Sequence, residues 1–171
     1  ISESTAALAQ SGTGPNNVYI EQVGDSNAIT IQQVGGNNSV GGTAGTPWSA
    51  PSSSNYGTIN GSSNVIAMTQ TGTGNMGQYT VWGNNNTYTS TVTGDGNKTK
   101  LNVGDVNNPA NLRNNITETI VGDTNTLVTT VKGSDINSTT SVQGNLNQVT
   151  SNMLSSRGTS TITIQGGNNQ M

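Results

Sequence analysis

Residues 61–97 read GSSNVIAMTQTGTGNMGQYTVWGNNNTYTSTVTGDGN. The stretch is three copies of one unit and the start of a fourth: a Gly-x-x-Asn turn, then seven residues rich in Thr, Val, Ile and Tyr. Its glycines, Gly61, Gly72, Gly83 and Gly94, fall 11 residues apart. Gly122, Gly133 and Gly144 keep the same interval, and Gly166 lies two intervals further on. Upstream, Gly24 and Gly35 open the same kind of turn. A fixed period of this kind is the mark of a repeat architecture.

The segments between the turns are strand formers. Gly, Asn and Asp accept the positive φ of a sharp reversal. Side chains alternate along a strand, so steps of two back from each glycine pick out one face. Before Gly24 that face is Asn16, Val18, Ile20 and Gln22; before Gly35 it is Asn27, Ile29, Ile31 and Gln33. Later rows give Asn64, Ile66, Met68 and Gln70, then Asn86, Tyr88, Ser90 and Val92, then Asn125, Leu127, Thr129 and Val131. Asn147 opens a further row, Ile162 and Ile164 close the last, and the first row ends on Gln10 before Gly12. The alternate face carries Tyr19, Glu21, Thr30, Gln32, Lys98, Lys100 and Lys132 and is expected to meet solvent.

A unit of 11 residues is too short for a long hairpin but fits half of a flattened coil. The spacing predicts an all-β fold: a β-solenoid with two strands per coil and like residues stacked at about 4.8 Å. Roughly six coils would make a rod about 30 Å long. The chain of 171 residues is expected to be one such domain, 1–171, interrupted twice. Residues 39–52, which include Pro47, Trp48 and Pro51, and residues 105–113, around Pro109, should leave the stack, because proline cannot donate into a ladder.

Composition agrees with a stack more than with a globule. Hydrophobic residues are 29%, Phe is absent, and charged residues are only 8%, with a net charge of −3. An amide-rich chain can still order if its inward Asn and Gln residues hydrogen-bond to their own copies. With no Cys and no His, disulfides, thiolate chemistry and a conventional catalytic triad are excluded. Five basic residues do not make a nucleic-acid surface. No apolar run approaches the ~20 residues of a membrane helix, so no membrane insertion is expected.

Several residues invite sharper readings. Asp25, Asp95, Asp105, Asp123 and Asp135 sit in turns, where stacked carboxylates can hold calcium. Each turn supplies one carboxylate at most, which suits turn chemistry and solubility better, and neither metal nor cofactor is expected. Glu118 falls inward by the step-of-two count, beside Ile116 and Ile120. A lone carboxylate there is costly, so a one-residue slip after the second interruption is expected to turn it outward. Glycoside hydrolysis needs a second facing acid, and none is near; no enzymatic activity is expected. Tyr19, Tyr56, Tyr79, Tyr88, Trp48 and Trp82 offer an alternative, an adhesive or sugar-binding face.

The rows resemble the curlin repeat of bacterial curli fibres. The spacing Asn16 to Gln22-Val23-Gly24, repeated as Asn27 to Gln33-Val34-Gly35 and Asn64 to Gln70-Thr71-Gly72, is similar to that pattern, as is Ser4 to Gln10-Ser11-Gly12. From Gly83 onward the Gln position holds Val or Ile instead. The resemblance implies a secreted, extracellular or cell-surface subunit that joins copies of itself head to tail into a functional amyloid fibre of a biofilm. A nucleator and a secretion machinery would be its other partners. A virion appendage or a cell-surface adhesin built on such repeats is the alternative.

Overall fold

The computed structural model describes residues 4–42, 56–105, 112–154 and 156–171. These form strands β1 (Thr5–Ser11), β2 (Asn17–Val18), β3 (Ile20–Val23), β4 (Ala28–Val34), β5 (Ser39–Val40), β6 (Gly57–Asn60), β7 (Val65–Thr71) and β8 (Met76–Trp82). They continue as β9 (Thr87–Thr93), β10 (Lys98–Val103), β11 (Asn115–Val121), β12 (Thr126–Val131), β13 (Asn137–Gln143), β14 (Gln148–Met153) and β15 (Thr159–Ile164). No helix occurs among the described residues.

The chain is all-β and its strands alternate between two sheets. The first sheet runs β1-β4-β7-β9-β11-β13-β15, and the second runs β2-β5-β8-β10-β12-β14, with β3 and β6 extending the ranks of β2 and β5. Every pairing is parallel. Thus Ile29 stands beside Ile66, Ile66 beside Tyr88, and Tyr88 beside Ile116. A tier is one strand of each sheet with the turn between them. Seven tiers are represented in the first sheet, against the roughly six coils expected from the spacing.

Equivalent residues of neighbouring tiers lie 22 apart where the rows follow directly, and 23 apart between β1 and β4, where the turn before Asn16 is one residue longer. They lie 37 apart across the first interruption and 28 across the second. The register of the described residues is the same before and after both interruptions. Their bounds differ from those expected. Ser39 and Val40 belong to β5, because the Ser39 N–H finds the Asn75 carbonyl at 2.8 Å and the pairing outlasts the onset of the Gly-rich stretch. Leu112 to Asn114 are likewise part of the stack, and the Leu112 N–H reaches the Asn84 carbonyl at 3.1 Å. Residues 43–55 and 106–111, with Trp48 and the prolines at 47, 51 and 109, lie outside the described residues.

The turns repeat one backbone form. Gly24 has φ 117° and Ser26 58°; Gly61 has 141° and Ser63 60°; Gly144 has 95° and Leu146 60°. Only the first position demands glycine. A Cβ on Gly24 would collide with the Gly61 carbonyl oxygen, and one on Gly61 with that of Gly83. The turns are therefore stacked as tightly as the strands.

Strand alternation carries Ile, Val, Leu and Tyr into the space between the sheets. Ile29, Ile31, Ile66, Tyr79, Tyr88 and Leu101 lead one apolar cluster. Val92, Ile120, Leu127, Val142, Val149 and Ile164 form another. Each fully buried aliphatic side chain contributes roughly 1.5–3 kcal/mol. One tier holds only a few, so the tiers stabilise one another and none stands alone.

Candidate functional site: the inner ladders and their open ends

The last residue of each turn faces inward, and where it is Asn it builds a ladder. At the corner leading into the second sheet its rungs are Asn16, Asn38, Asn75, Asn97, Asn125, Asn147 and Asn169. Interior rungs repeat one pattern. The Asn75 backbone and side-chain N–H groups both donate to Asn38 Oδ1, at 3.0 and 3.1 Å. Asn75 Nδ2 also donates to the Gly94 carbonyl at 2.7 Å. Asn97 repeats this on Asn75 and Gly122, and Asn125 repeats it on Asn97 and Gly144. Each amide thus ties a strand start, a neighbouring amide and a turn glycine.

The opposite corner carries a shorter series. The Asn27 N–H donates to Ser4 Oγ at 3.2 Å, Asn64 bonds to Asn27, and Asn86 to Asn64. The Asn114 N–H then donates to Asn86 Oδ1 at 3.2 Å, and the next position is Ile136, whose N–H closes on Asn114 Oδ1. Asn114 is the rung between Asn86 and Ile136; the Gly-x-x-Asn spacing from Gly104 would assign that place to Asn107, which lies outside the described residues. Asn38, Asn75, Asn97 and Asn169 are also rungs; their signal is the fourth place of the same Gly-x-x-Asn turns.

A third ladder joins Gln10, Gln33 and Gln70. Gln10 Nε2 donates to Gln33 Oε1 and Gln33 Nε2 to Gln70 Oε1, both at 2.9 Å, and Gln70 Nε2 ends on the Ser39 carbonyl at 3.1 Å. Gln33 and Gln70 are buried, whereas Gln10, in the terminal tier, is exposed. Beyond Gln70 the column becomes Val92, Ile120, Val142 and Ile164. In the facing sheet Ile20 and Gln22 are half-buried, while Ile59, Val81 and Val131 above them are sealed. Ile31 and Met68 are buried and Ile162 is half-buried. Burial falls off at both ends because the last tiers have a neighbour on one side alone.

Glu118 corrects the expected slip. It stands beside Ser90 and Thr140 in unbroken register and is 1% exposed. The Tyr88 hydroxyl donates to its Oε2 at 2.6 Å, and Oε1 has no hydrogen-bond partner. The buried hydroxyls of Ser90, Thr129, Ser138 and Thr140 are also unpartnered. Burial raises the Glu118 pKa to about 7, against the lowering pull of Thr129, which is near but outside hydrogen-bond geometry, and of Tyr88. Burial foremost, with the neighbouring Glu118, pushes the Tyr88 hydroxyl far up. The carboxyl stays inward because the Asn86–Asn114 and Ile116–Tyr88 contacts on one side of it and the Ile120–Val92 pair on the other lock the register.

The turn carboxylates are engaged locally. Asp95 accepts the Thr73 N–H at 2.7 Å, and Asp123 accepts that of Asp95 at 2.8 Å. Arg113 grips Asp135 through two bonds of 2.7 and 2.8 Å and holds its carboxyl below the usual range. Among the described residues no three Asp, Glu, His or Cys side chains gather around one point. The aromatics do not share one surface either. Tyr79 and Tyr88 are sealed in the core, Tyr56 and Trp82 are half-buried, and Tyr19 is exposed.

No family model, curated protein or solved structure matches this chain. The site is therefore read from its chemistry. The first sheet ends at β1 on one side and at β15 on the other, each with one strand neighbour. All seven residues of β1 are exposed, including Leu8 at 58%. Among the described residues no rung precedes Asn16 in this ladder, and the Asn169 Nδ2 donates back to the Gln165 carbonyl at 2.9 Å. The two end strands, each with one strand neighbour among the described residues, run parallel and in the same sense.

Proposed function

We propose that this chain is a β-solenoid subunit that joins its copies end to end into an extracellular, curli-like amyloid fibre. The observation that carries the reading is the seven-rung asparagine ladder from Asn16 to Asn169, whose first and last rungs each bond to one neighbouring rung among the described residues. An open parallel edge recruits another strand. Because all pairings are parallel, the contact that fits is β15 of one copy on β1 of the next. Such a contact is heterologous and does not close, so it propagates a filament.

The amide chemistry makes the seam specific. Asn169 of one copy would take the place below Asn16 of the next, continuing the interior pattern. The inner glutamine column would not continue, since Gln10 would meet Ile164. The seam would keep the Asn rung and lack a Gln rung, so it would be weaker than the two steps that Gln10–Gln33 and Gln33–Gln70 join. The outward charges, Glu21, Lys98, Lys100 and Lys132, would oppose sideways aggregation.

Electron microscopy of the purified chain in native buffer, with fibre diffraction of aligned material, tests the proposal. The expected outcome is unbranched filaments with an axial reflection near about 4.8 Å. Monomers or closed trimers that persist at high concentration would overturn it and favour an adhesin or virion appendage.

A further inference from the structure

The outer face of the first sheet differs from every other surface of the molecule. Residues that point out of it are Thr, Ser, Ala, Val, Asn and Gln; among those described none is charged and none is aromatic. The outer face of the second sheet carries Tyr19, Glu21, Trp82, Lys98 and Lys100 instead. The hydroxyls of the first face are in register. Strands β9, β11, β13 and β15 each present a pair two residues apart: Thr89 and Thr91, then Thr117 and Thr119, with Thr139 beside Ser141 and the Thr–Thr pair repeated on β15. Thr89 stands directly beside Thr117, and Thr91 beside Thr119.

The geometry points to an ice-binding face: a plane that adsorbs crystalline water through this two-column hydroxyl array. Across strands the hydroxyls repeat at about 4.8 Å, and along each strand at about 6.7 Å. Both intervals lie near the oxygen repeats of a prism plane of hexagonal ice. Threonine is β-branched and stiff at χ1, so neighbouring rows hold one orientation without further ordering. Its methyl excludes disordered water while its hydroxyl anchors a lattice position. The Asn ladders at both corners act as the side-chain stacks that keep a long parallel sheet from twisting out of plane.

The same face is poorly suited to other ligands. Protein partners are anchored by aromatic and Arg side chains, and none projects here. Polynucleotides need cations. An uncharged lattice of water needs neither. This inference does not depend on fibre formation, because four strands of a single chain carry the array.

The test is thermal hysteresis and ice-crystal shaping by the folded chain in dilute neutral buffer, with labelled protein adsorbed onto a single-crystal ice hemisphere. The expected results are faceted growth and coating of prism planes. Thr119→Lys and Thr91→Lys, at the centre of the array, should each cut the hysteresis by more than half. Thr150→Lys, on the outer face of the second sheet, should leave it unchanged, with circular dichroism confirming the fold of all three. A folded wild-type chain that neither shapes ice nor shows hysteresis overturns the inference, as does equal loss in the Thr150→Lys control. Adsorption to crystalline cellulose in place of ice also overturns it. So does loss of sideways filament bundling in Thr119→Lys with ice growth unaffected, which would make the face an interface between copies.

Discussion

Replacing Glu118 with Gln should stabilise the chain at neutral and alkaline pH and do little in acid. Glu118 is 1% exposed, and one of its oxygens has no hydrogen-bond partner. Burial lifts its pKa from 4.5 to about 7. The folded state therefore holds the proton more tightly than the unfolded chain. The stability this confers is fully present below about pH 4.5, falls as pH rises through the window to about 7, and is gone above it. A shift of that size corresponds to about 3 kcal/mol. Glu118→Gln removes the charge and keeps an oxygen for the Tyr88 hydroxyl, so the variant should gain up to about 3 kcal/mol near pH 8 and be close to neutral near pH 4. Urea unfolding followed by far-ultraviolet circular dichroism, at concentrations too low for association, gives both values. The Asp135 carboxyl, lowered by Arg113, contributes in the opposite sense but in a more acid range, so the slope between about pH 5 and 7 isolates Glu118. A wild-type stability that is flat across that window, or a Gln variant no more stable than wild type near pH 8, would refute the reasoning.

Three other outcomes follow from the ladders and turns. Asn97→Ala, in the middle of the long ladder, strips partners from Asn75 Oδ1, the Asn125 N–H and the Gly122 carbonyl; it should cost about 2–4 kcal/mol in urea unfolding. Asn169→Ala touches an exposed end rung; subunit stability should barely move, while elongation from preformed seeds, followed by light scattering, should slow several-fold. Leu146→Asn should raise stability by on the order of 0.5–1 kcal/mol, because Leu146 is 57% exposed and held at φ 60°, a region Asn tolerates better.

Much of the fold was legible in the chain because its determinants are local. Gly61, Gly72, Gly83 and Gly94 mark turns by their spacing, and the steps of two between them pick out the buried Ile66, Met68, Tyr88 and Val92. The spacing also pointed to Gln33 and Gln70, whose amides are paired in the core. Less was legible where the chain leaves the stack. Ser39 and Val40 look like the start of a Gly-rich excursion yet hold two neighbours in the second sheet. Asn107 looks like the rung after Gly104, while Asn114 fills that place. An interruption inside a turn hides the rung because period counting presumes that the turn is continuous.

The sequence by itself determined the repeat, the strand and turn segments, the inward and outward alternation and the mixing of amides with aliphatic side chains in the interior. These follow from steric preference and a period of two, which need no partner at long range. Only the tertiary structure decided which residues become neighbours across tiers: that Glu118 stays buried beside Tyr88, that the glutamine column gives way to aliphatic residues after Gln70, and that threonines from four strands line up on one outer face. Those outcomes depend on the register between strands 22, 23, 28 or 37 residues apart. That register is set by all the ladders at once, so it can hold a costly carboxylate in the core when the Asn114 rung and the strand pairs on both sides are made.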